Sequence, residues 1–254
     1  MISKSKIRFI KSLDKKRYRQ ETGLFLAEGN KLVSDLLPYF ECESLFAKPE
    51  WIASRGKITA KEIVEVSEEE IERAGLLKKT RDVIGIFVQP KMVLEKETLS
   101  DELSLILDGI QDPGNAGTII RIADWFGIKN VICSPDTVDI YNPKTIQATM
   151  GSIARVKVFY AELVQLLAEL EHIPVYGTFL EGNNMYTENL GSTGFIVMGN
   201  EGNGIRNELK NRIHHRIHIP GFPSGGETSE SLNVAVATAV VCAEFRRRQV
   251  YSVQ

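Results

Sequence analysis

The feature that most constrains the fold of this chain is a regular alternation of short apolar runs with helix-like segments after residue 100. Runs such as Asn130 to Cys133 and Gly194 to Met198 are apolar almost without interruption. Strands of this kind, placed between helices, are typical of a mostly parallel sheet that is covered on both faces. We therefore predict an α/β domain in the C-terminal part of the chain.

Strands and helices alternate along this predicted domain. In order, the segments are Ser104 to Leu107, Thr118 to Trp125, Asn130 to Cys133, Thr145 to Met150, Val156 to Phe159, Ala161 to Leu170, Pro174 to Thr178, Gly194 to Met198, Arg216 to Ile219 and Leu232 to Arg248. The last segment is a helix whose surface is apolar nearly all round, which is more than one sheet face requires. It is either buried within its own monomer or packed partly against a second copy of the chain.

A smaller α/β module is predicted before this domain. It opens with a basic amphipathic helix from Ile7 to Arg19. The segments that follow are a strand at Leu24 to Gly29, a helix at Asn30 to Leu37, a strand at Cys42 to Ala47, a helix at Ser67 to Ala74 with the capping-box pattern Ser67-x-x-Glu70, and a strand at Val83 to Gln89. Pro90 to Asp101 lacks apolar periodicity and is predicted to be a linker. The predicted domains are residues 1–95 and 96–254.

Composition excludes several classes of protein. No stretch of about 18 apolar residues is free of charge, and the N-terminus lacks the apolar core of a secretory signal, so we expect a cytoplasmic protein. The cysteines Cys42, Cys133 and Cys242 are far apart, which argues against a disulfide framework and a structural zinc site; we expect them to be buried, and we expect no metal. The net charge is -2, yet residues 1–21 contain eight Lys and Arg against two acidic residues, which suggests a polyanionic partner.

Three short polar segments follow predicted strands and are candidates for chemistry. The first leads from the strand end at Asp108 through the turn Asp112-Pro113-Gly114-Asn115 into a helix that carries Arg121. We place Arg121 in the early turns of this helix, where the helix dipole does not favour a cation. It has either a specific anionic or hydrogen-bonding partner or a salt bridge on the helix surface, and the residues alone leave both alternatives open.

The second and third segments are loops at later strand ends. The glycines of Gly199-Asn200-Glu201-Gly202-Asn203-Gly204 allow the backbone to approach a ligand closely, although a simple tight turn also explains them. After the strand that ends at Ile219-Pro220, Ser231 is a natural N-cap for the last helix, and Asn233 in its first turn can project its amide to a ligand. The loop from Gly221 to Ser229 is expected to form a lid or a substrate rim.

In this order and in these contexts, the three segments resemble the three motifs of the SpoU/TrmH family of RNA ribose 2'-O-methyltransferases. The resemblance covers residues 104 to 248, and the segment from Lys15 to Gly29 is similar to the RNA-binding extension of many members. It implies S-adenosylmethionine as the methyl donor and a deep trefoil knot in the second domain. It also implies a homodimer, formed through the C-terminal helix and the first-motif region, that acts on ribosomal or transfer RNA, with ribosomal RNA preferred and no DNA partner.

The resemblance also implies roles for individual residues. Around the methyl acceptor it places Asn115, Arg121, Glu201, Ser231 and Asn233. Around S-adenosylmethionine it places Thr178, Phe179, Leu180, Gly199, Asn200, Gly202, Ile219, Pro220, Leu232 and Asn233. Two positions depart from the family pattern, because Ala235 replaces a usual Ser and Arg206 stands where Ser is frequent.

Two other functions remain open at this point, namely an RNA-binding protein without catalysis and a methyltransferase that acts on a base. Candidate phosphate contacts are the basic N-terminal helix, Lys78-Lys79-x-Arg81 and the stretch from Lys210 to Arg216, with solvated surface charge as the alternative. The aromatic residues Phe9, Tyr18 and Phe25 are more typical of a core than of base-stacking platforms.

Overall fold

The computed structural model of the chain describes residues 2–77, 82–222 and 230–250. Internal contacts divide the chain into a first unit, Met1–Lys91 with Asp139–Ala154, and a second unit, Met92–Val138 with Arg155–Gln254. The segment Asp139–Ala154 thus folds with the first unit, whereas the predicted boundary between residues 95 and 96 counts it with the second domain. None of the described helices has the length and the apolar character that a membrane-crossing helix needs.

The first unit contains a four-stranded mixed sheet. Its strands are β1 (Leu24–Glu28), β2 (Cys42–Ala47), β3 (Glu62–Glu65) and β4 (Val83–Val88). Their order is β1-β4-β2-β3, in which β4 runs antiparallel to both of its neighbours and β2 is parallel to β3. Three of these strands match the predicted segments, and β3 was not predicted because its Glu-Ile-Val-Glu sequence is short and carries charge at both ends.

The second unit contains a six-stranded parallel sheet, which confirms the predicted α/β architecture. Its strands are β5 (Leu103–Asp108), β6 (Asn130–Cys133), β7 (Lys157–Tyr160), β8 (Val175–Asn184), β9 (Gly194–Gly199) and β10 (His215–His218). They lie in the order β10-β8-β9-β5-β6-β7, and every pair of neighbours is parallel. The carboxyl ends of β8, β9, β10 and β5 therefore lie at one edge of the sheet.

The described residues form α-helices that cover these sheets. They are α1 (Lys4–Ser12), α2 (Lys16–Thr22), α3 (Asn30–Leu36), α4 (Pro49–Ala53), α5 (Glu68–Ala74), α6 (Pro113–Trp125), α7 (Pro143–Thr149), α8 (Leu163–Glu169), α9 (Asn207–Lys210) and α10 (Val234–Val250). The capping box predicted for α5 is confirmed, because the Ser67 side chain accepts from Glu70 N and the Glu70 side chain accepts from Ser67 N. A short 3-10 turn at Lys96–Thr98 occupies the predicted linker.

The predicted single helix from Ile7 to Arg19 is wrong, because two helices separated by residues 13–15 replace it. The cause is Arg19, whose side chain is only 1% exposed. Its guanidinium donates to the carbonyl oxygens of Leu13 at 2.8 Å and Asp14 at 2.9 Å, so these carbonyls are satisfied without continuing α1. Leu13 is fully buried at the break.

The same arginine binds the segment that returns to the first unit. Arg19 Nε donates to Asp139 Oδ2 at 2.9 Å, and the side chain of Asp139 is 15% exposed. Two residues later, the ring of Tyr141 packs against Phe25 with centroids 5.0 Å apart. A buried ion pair and an aromatic contact therefore hold Asp139–Ala154 within this unit.

Side chains that the sequence assigned to the core are mostly buried. Cys42, Cys133 and Cys242 are all buried free thiols, as predicted, and burial raises the pKa of Cys42 and Cys242 to about 12. Phe25 is fully buried, whereas Phe9 and Tyr18 are 37% and 43% exposed, so the core assignment is wrong for these two rings. Ile10 fills the buried side of the helix that carries Phe9, and Arg19 fills the buried side of the helix that carries Tyr18.

Candidate active site

Three of the predicted acceptor-site residues form a continuous hydrogen-bonded chain in the second unit. Asn233 Nδ2 donates to Asn115 Oδ1 at 3.0 Å, and Asn115 Nδ2 donates to Glu201 Oε1 at 3.0 Å. These residues come from the start of α6, the loop after β9 and the residue before α10. The fold thus brings together polar groups that are 86 and 118 residues apart in sequence.

The carboxylate of Glu201 is held by backbone groups as well as by Asn115. The N–H of Gln111 donates to Oε2 at 3.3 Å, and the N–H of Asp112 lies 3.4 Å from Oε1. Partial burial opposes the charge on Glu201, but the hydrogen bonds from Asn115 and from the backbone outweigh it and lower the pKa of Glu201. Glu201 is therefore ionised at neutral pH and acts as an anchor for donors rather than as a base with a raised pKa.

The position of Asn115 is set by the start of α6. Asp112 is the N-cap, and its Oδ1 accepts from the backbone N–H of Asn115 at 2.7 Å. Pro113 occupies the first helical position, where its missing N–H costs nothing. The turn Asp112-Pro113-Gly114-Asn115 therefore presents the Asn115 amide at the carboxyl edge of the sheet.

Asn233, rather than Ser231, caps the last helix. Asn233 Oδ1 accepts from Ala235 N at 3.0 Å and from Val236 N at 3.3 Å, while its carbonyl accepts from Ala237 N. The predicted N-cap role of Ser231 is therefore wrong, and Ser231 is an exposed residue two positions before the cap. One asparagine amide thus serves two purposes, because its oxygen caps α10 and its nitrogen binds Asn115.

Arg121 is the ninth residue of α6 and its side chain is exposed. The placement in an early turn was wrong, because α6 starts at Pro113, and the argument from the helix dipole does not apply this far along. Among residues 2–77, 82–222 and 230–250, no hydrogen bond or ion pair satisfies its guanidinium, so the alternative of a surface salt bridge is not supported there. Arg121 is not bonded to the Asn233–Asn115–Glu201 chain, and within the described part of the protein its donors have no acceptor.

Arg206, which departs from the family pattern, binds two carboxylates at the same edge. Its backbone N–H and Nε donate to Asp108, whose side chain is 2% exposed at the end of β5. Its terminal Nη2 donates to Asp136 Oδ1 at 2.8 Å in the loop after β6. A hydrogen bond from Ser134 lowers the pKa of Asp136, and Arg206 contributes in the same direction. Arg206 therefore connects the loop after β9 to two other strand ends. Sequence reasoning missed this role, and the only signal for it was the unusual Arg itself.

The loop after β9 is a tight turn built on Asn200. Asn200 Oδ1 accepts from the backbone N–H groups of Gly202 and Asn203 at 3.0 Å, and Asn200 Nδ2 donates to Gly109 O at 2.6 Å. A Cβ on Gly199 would lie 2.4 Å from Gly204 C, so only glycine fits there. The loop is therefore the tight turn that the sequence analysis gave as one explanation of its glycines, and the same turn places Glu201 beside Asn115.

Of the residues assigned to S-adenosylmethionine, Thr178 to Leu180 lie within β8, Gly199 ends β9 and Ile219 follows β10. These three strands are adjacent and parallel. The β8–β10 pairing passes from Gly177–Arg216 directly to Asn183–Ile217, so residues 178–182 leave the ladder. Thr178 Oγ1 donates to Val197 O at 3.0 Å, and the Arg216 guanidinium lies 3.9 Å from the Phe179 ring centroid. Ile219 and Pro220 follow β10 and are half-buried.

Two of the residues assigned to S-adenosylmethionine are exposed apolar side chains. Leu180 is 65% exposed and Leu232 is 49% exposed, although both are apolar residues of the second unit. Together with the close-packed glycine turn at Gly199, they offer apolar side chains and backbone groups to a ligand. Residues 223–229 of the predicted lid, and the candidate phosphate contacts Lys78, Lys79 and Arg81, lie outside the described residues.

Comparisons with known proteins agree with this arrangement. The model of the SpoU rRNA Methylase family matches residues 102–243, and the model of the MRM3-like substrate binding domain matches residues 4–85. The 23S rRNA (guanosine(2553)-2'-O)-methyltransferase RlmP of Bacillus subtilis is 31% identical over 246 residues, which cover 95% of this chain and 96% of that protein.

Solved structures are similar over nearly the whole chain. A protein of the TrmH family from Porphyromonas gingivalis superposes with a TM-score of 0.87 at 38% identity, covering 98% of this chain and 99% of the other. An rRNA methyltransferase from Sinorhizobium meliloti with bound AdoMet superposes with a TM-score of 0.82 at 30% identity, covering 98% and 96%.

Proposed function

This chain belongs to the SpoU rRNA methylase family and is an S-adenosylmethionine-dependent RNA 2'-O-methyltransferase, and we propose that it methylates a guanosine ribose in 23S ribosomal RNA. The similarity to RlmP along 95% of the chain supports the choice of a 23S guanosine. The N-terminal match to a substrate-binding domain supports RNA contact by the first unit. A cytoplasmic location accompanies this proposal, because the named relatives of bacterial origin act on ribosomal RNA.

The observation that carries the assignment of the site is the Asn233–Asn115–Glu201 chain. It joins all three motif segments at the carboxyl edge of a parallel sheet, where α/β proteins bind ligands. A purely structural link would not require two amides and an ionised carboxylate, each oriented by further backbone hydrogen bonds. This preorganised row of amides is suited to holding a polar substrate group in one orientation.

The reaction is an in-line displacement in which the ribose 2'-oxygen attacks a methyl carbon, the carbon–sulfur bond breaks and the hydroxyl proton passes to solvent water. When bound, S-adenosylmethionine supplies the electrophilic methyl group. The chain's own task is to hold the 2'-hydroxyl in near-attack geometry, which is worth up to about 7–11 kcal/mol of the barrier. Asn115 and Asn233 lie in fixed orientations that suit this positioning.

Arg121 is proposed to stabilise the developing alkoxide and to bind the adjacent phosphate. A guanidinium keeps its proton at neutral pH, so it donates hydrogen bonds rather than accepting the hydroxyl proton as a resting base. Its planar fork matches phosphate and alkoxide oxygens, and in the described residues no acceptor competes for it. Ser231, exposed in the second half of the third motif, is proposed to contribute its hydroxyl to the acceptor side.

The cofactor is proposed to bind beside the part of β8 that leaves the β10 ladder and beside the ends of β9 and β10. Thr178 to Leu180, Gly199, Ile219 and Leu232 supply apolar surface and backbone groups there, with Asn200 and Gly202 shaping the turn and Pro220 ending β10. Calorimetric titration with S-adenosylmethionine tests this site. Leu232→Arg is expected to abolish saturable binding, whereas Val164→Arg, on an exposed position of α8, is expected to bind as the wild type does. Equal binding by both variants would contradict the site.

A homodimer is also proposed, through α6 and α10. These two helices pack together, and their outer sides expose Trp125 at 84%, Val236 at 50% and Val250 at 70%. Arg121 lies one turn before Trp125 on the same face, so a second copy that covers Trp125 would border the acceptor site. Sedimentation analysis is expected to give a dimer for the wild type and a monomer for Trp125→Glu. A monomeric wild type would overturn this proposal.

Methylation of an unmodified 23S ribosomal RNA transcript tests the function itself. Incubation with S-adenosylmethionine is expected to leave one guanosine resistant to alkaline cleavage, because alkaline cleavage requires a free 2'-hydroxyl. Methylation that leaves every nucleotide alkali-sensitive would indicate a base as the acceptor. No methylation of either the naked transcript or the ribosomal particle would contradict catalysis and leave RNA binding alone.

A further inference from the structure

Helix α1 carries a row of cations on one exposed face. Lys4, Arg8 and Lys11 are four and three residues apart, so they lie on the same side of the helix, and all three are exposed. Lys15 and Lys16, also exposed, follow at the start of α2. In the described parts of the chain, no acidic side chain forms an ion pair with any of the five. We name Lys4, Arg8 and Lys11 the cationic row.

The helix that carries this row is fixed in place. Ile10 is fully buried beneath it, and the backbone N–H of Ile2, just before the helix, donates to Glu70 Oε1 at 2.7 Å. Away from the row, Lys6 pairs with Glu62. The row therefore stands on a helix that is anchored to the first unit, so the backbone that carries the charges is already positioned before any partner arrives.

Most charges of the row oppose the stability of α1, although Lys11 lies in the last turn, where the helix dipole favours a cation. Lys4 lies at the positive end of the helix dipole, and no acidic residue occupies the first turn. Lys4 and Arg8 are like charges at four-residue spacing, and Arg8 and Lys11 are like charges at three-residue spacing, so both pairs repel. In contrast, α5 has Glu68–Glu70 in its first turn and Arg73 in its last turn, as the dipole favours. An external anion explains why α1 keeps charges that its own stability does not favour.

We propose that the cationic row binds the phosphate backbone of the RNA substrate. The inference rests on the proposed function, which supplies RNA as the polyanion, and it adds which surface of the first unit the RNA contacts. Lys4, Arg8 and Lys11 span about 10 Å along the helix, at 1.5 Å per residue, so they can contact successive phosphates of one strand. Such contacts hold RNA without reading its sequence.

Salt-dependent binding to an unmodified 23S ribosomal RNA transcript tests the row. The full chain is compared with the triple variant Lys4→Gln, Arg8→Gln and Lys11→Gln. The slope of log affinity against log salt is expected to fall by about 2–3, since each lost contact removes roughly 0.7–0.9. The KM for RNA is expected to rise at least about tenfold near physiological salt, because each phosphate contact contributes to affinity. The kcat at saturating RNA and the Kd for S-adenosylmethionine are expected to stay unchanged.

A matched control removes the same charge elsewhere on the first unit. Arg55→Gln, Lys57→Gln and Arg73→Gln alter exposed cations outside α1 and α2, and they are expected to change the salt slope by less than about 1. The row variant is expected to unfold at the same or a higher temperature than the wild type, because repulsion within α1 is relieved. If these three cations stabilised the fold, the row variant would unfold at a lower temperature than the wild type.

Two outcomes would overturn the row as the RNA-binding surface. One is a row variant whose salt slope and KM match the wild type, and the other is a control variant that weakens RNA binding as much as the row variant does. Failure of the wild type itself to methylate RNA would instead contradict the proposed function. If the wild type methylates RNA and the row variant binds RNA as the wild type does, only the proposal that the cationic row binds RNA is contradicted.

Discussion

Asn115 donates its Nδ2 hydrogen to Glu201 Oε1 across 3.0 Å, which joins the start of α6 to the turn after β9. An ionised Glu201 can only accept hydrogen bonds, so the Asn115 amide must turn its nitrogen toward this carboxylate. The Asn115 oxygen is thereby turned toward the Asn233 amide nitrogen, which donates to it. A single carboxylate thus sets the orientation of two amides at the proposed acceptor site.

Glu201→Gln is expected to reduce the kcat for RNA methylation by about 10–100-fold, because a hydrogen bond to a charged group is worth roughly 1.5–3 kcal/mol. The neutral amide also permits Asn115 to flip. The kcat under saturating RNA checks this, with Glu171→Gln, at an exposed turn position, as the control that should retain activity. A kcat of Glu201→Gln equal to that of the control would show that the carboxylate does not orient the site.

The pH dependence follows from the lowered pKa of Glu201. Partial burial opposes ionisation, but hydrogen bonds from Asn115 and the backbone prevail, so the folded-state pKa lies below that of the unfolded chain. The stability that Glu201 contributes is therefore present above the ordinary glutamate pKa and is lost as pH falls through the lowered value. Urea unfolding of wild type and Glu201→Gln between pH 7 and about pH 3 is expected to show the difference between them shrinking on acidification. A difference that grows instead would contradict the sign.

Substitutions of Asn233 can distinguish its role as the cap of α10 from its role in the acceptor site. Asn233→Ser retains an N-cap oxygen but loses the donor to Asn115, so it is expected to keep the thermal stability and lose methylation activity. Asn233→Ala is expected to lose activity and also about 1 kcal/mol of stability, since both contacts disappear. Thermal unfolding and kcat, measured on both variants, distinguish the two roles. An active Asn233→Ser would show that only the cap matters.

Arg206→Met is expected to destabilise the second unit by about 2–4 kcal/mol, because it leaves the charge of the buried Asp108 without its partner. Adding Asp108→Asn is expected to recover part of this loss, since the unpaired charge is removed. Urea unfolding measures both effects. Lys129→Met, which breaks the exposed pair with Glu102, should cost less than about 1 kcal/mol. A loss no larger than that of this control would show that Arg206 does not hold the strand ends together.

The sequence predicted the parallel sheet because its strands carry continuous apolar runs, which need burial on both faces. Asn130 to Cys133 was predicted with the bounds that β6 has. The extension of β8 to Asn184 was not predicted, because residues 180–184 are polar or exposed and leave no apolar pattern. The order of the strands depends on contacts that no local pattern encodes.

At the candidate site, the motif residues were predictable but their bonding was not. Ser231 and Asn233 are both favourable N-cap residues by their local chemistry. Asn233 caps α10 and also donates to Asn115, which is 118 residues away in the sequence. The break between α1 and α2 has a similar cause, because Arg19 also binds Asp139, 120 residues away. Local periodicity carries no information about such partners.

Single-turnover methylation by Arg121→Lys tests the central claim most directly. The exposed guanidinium of Arg121 is expected to stabilise the developing alkoxide through its planar fork, which the lysine ammonium lacks. We expect the methylation rate of a 23S ribosomal RNA transcript to fall at least about 100-fold while the Kd for S-adenosylmethionine stays unchanged. A rate within about threefold of the wild type, too small a change for a lost transition-state donor, would contradict the role of Arg121 in ribose methylation.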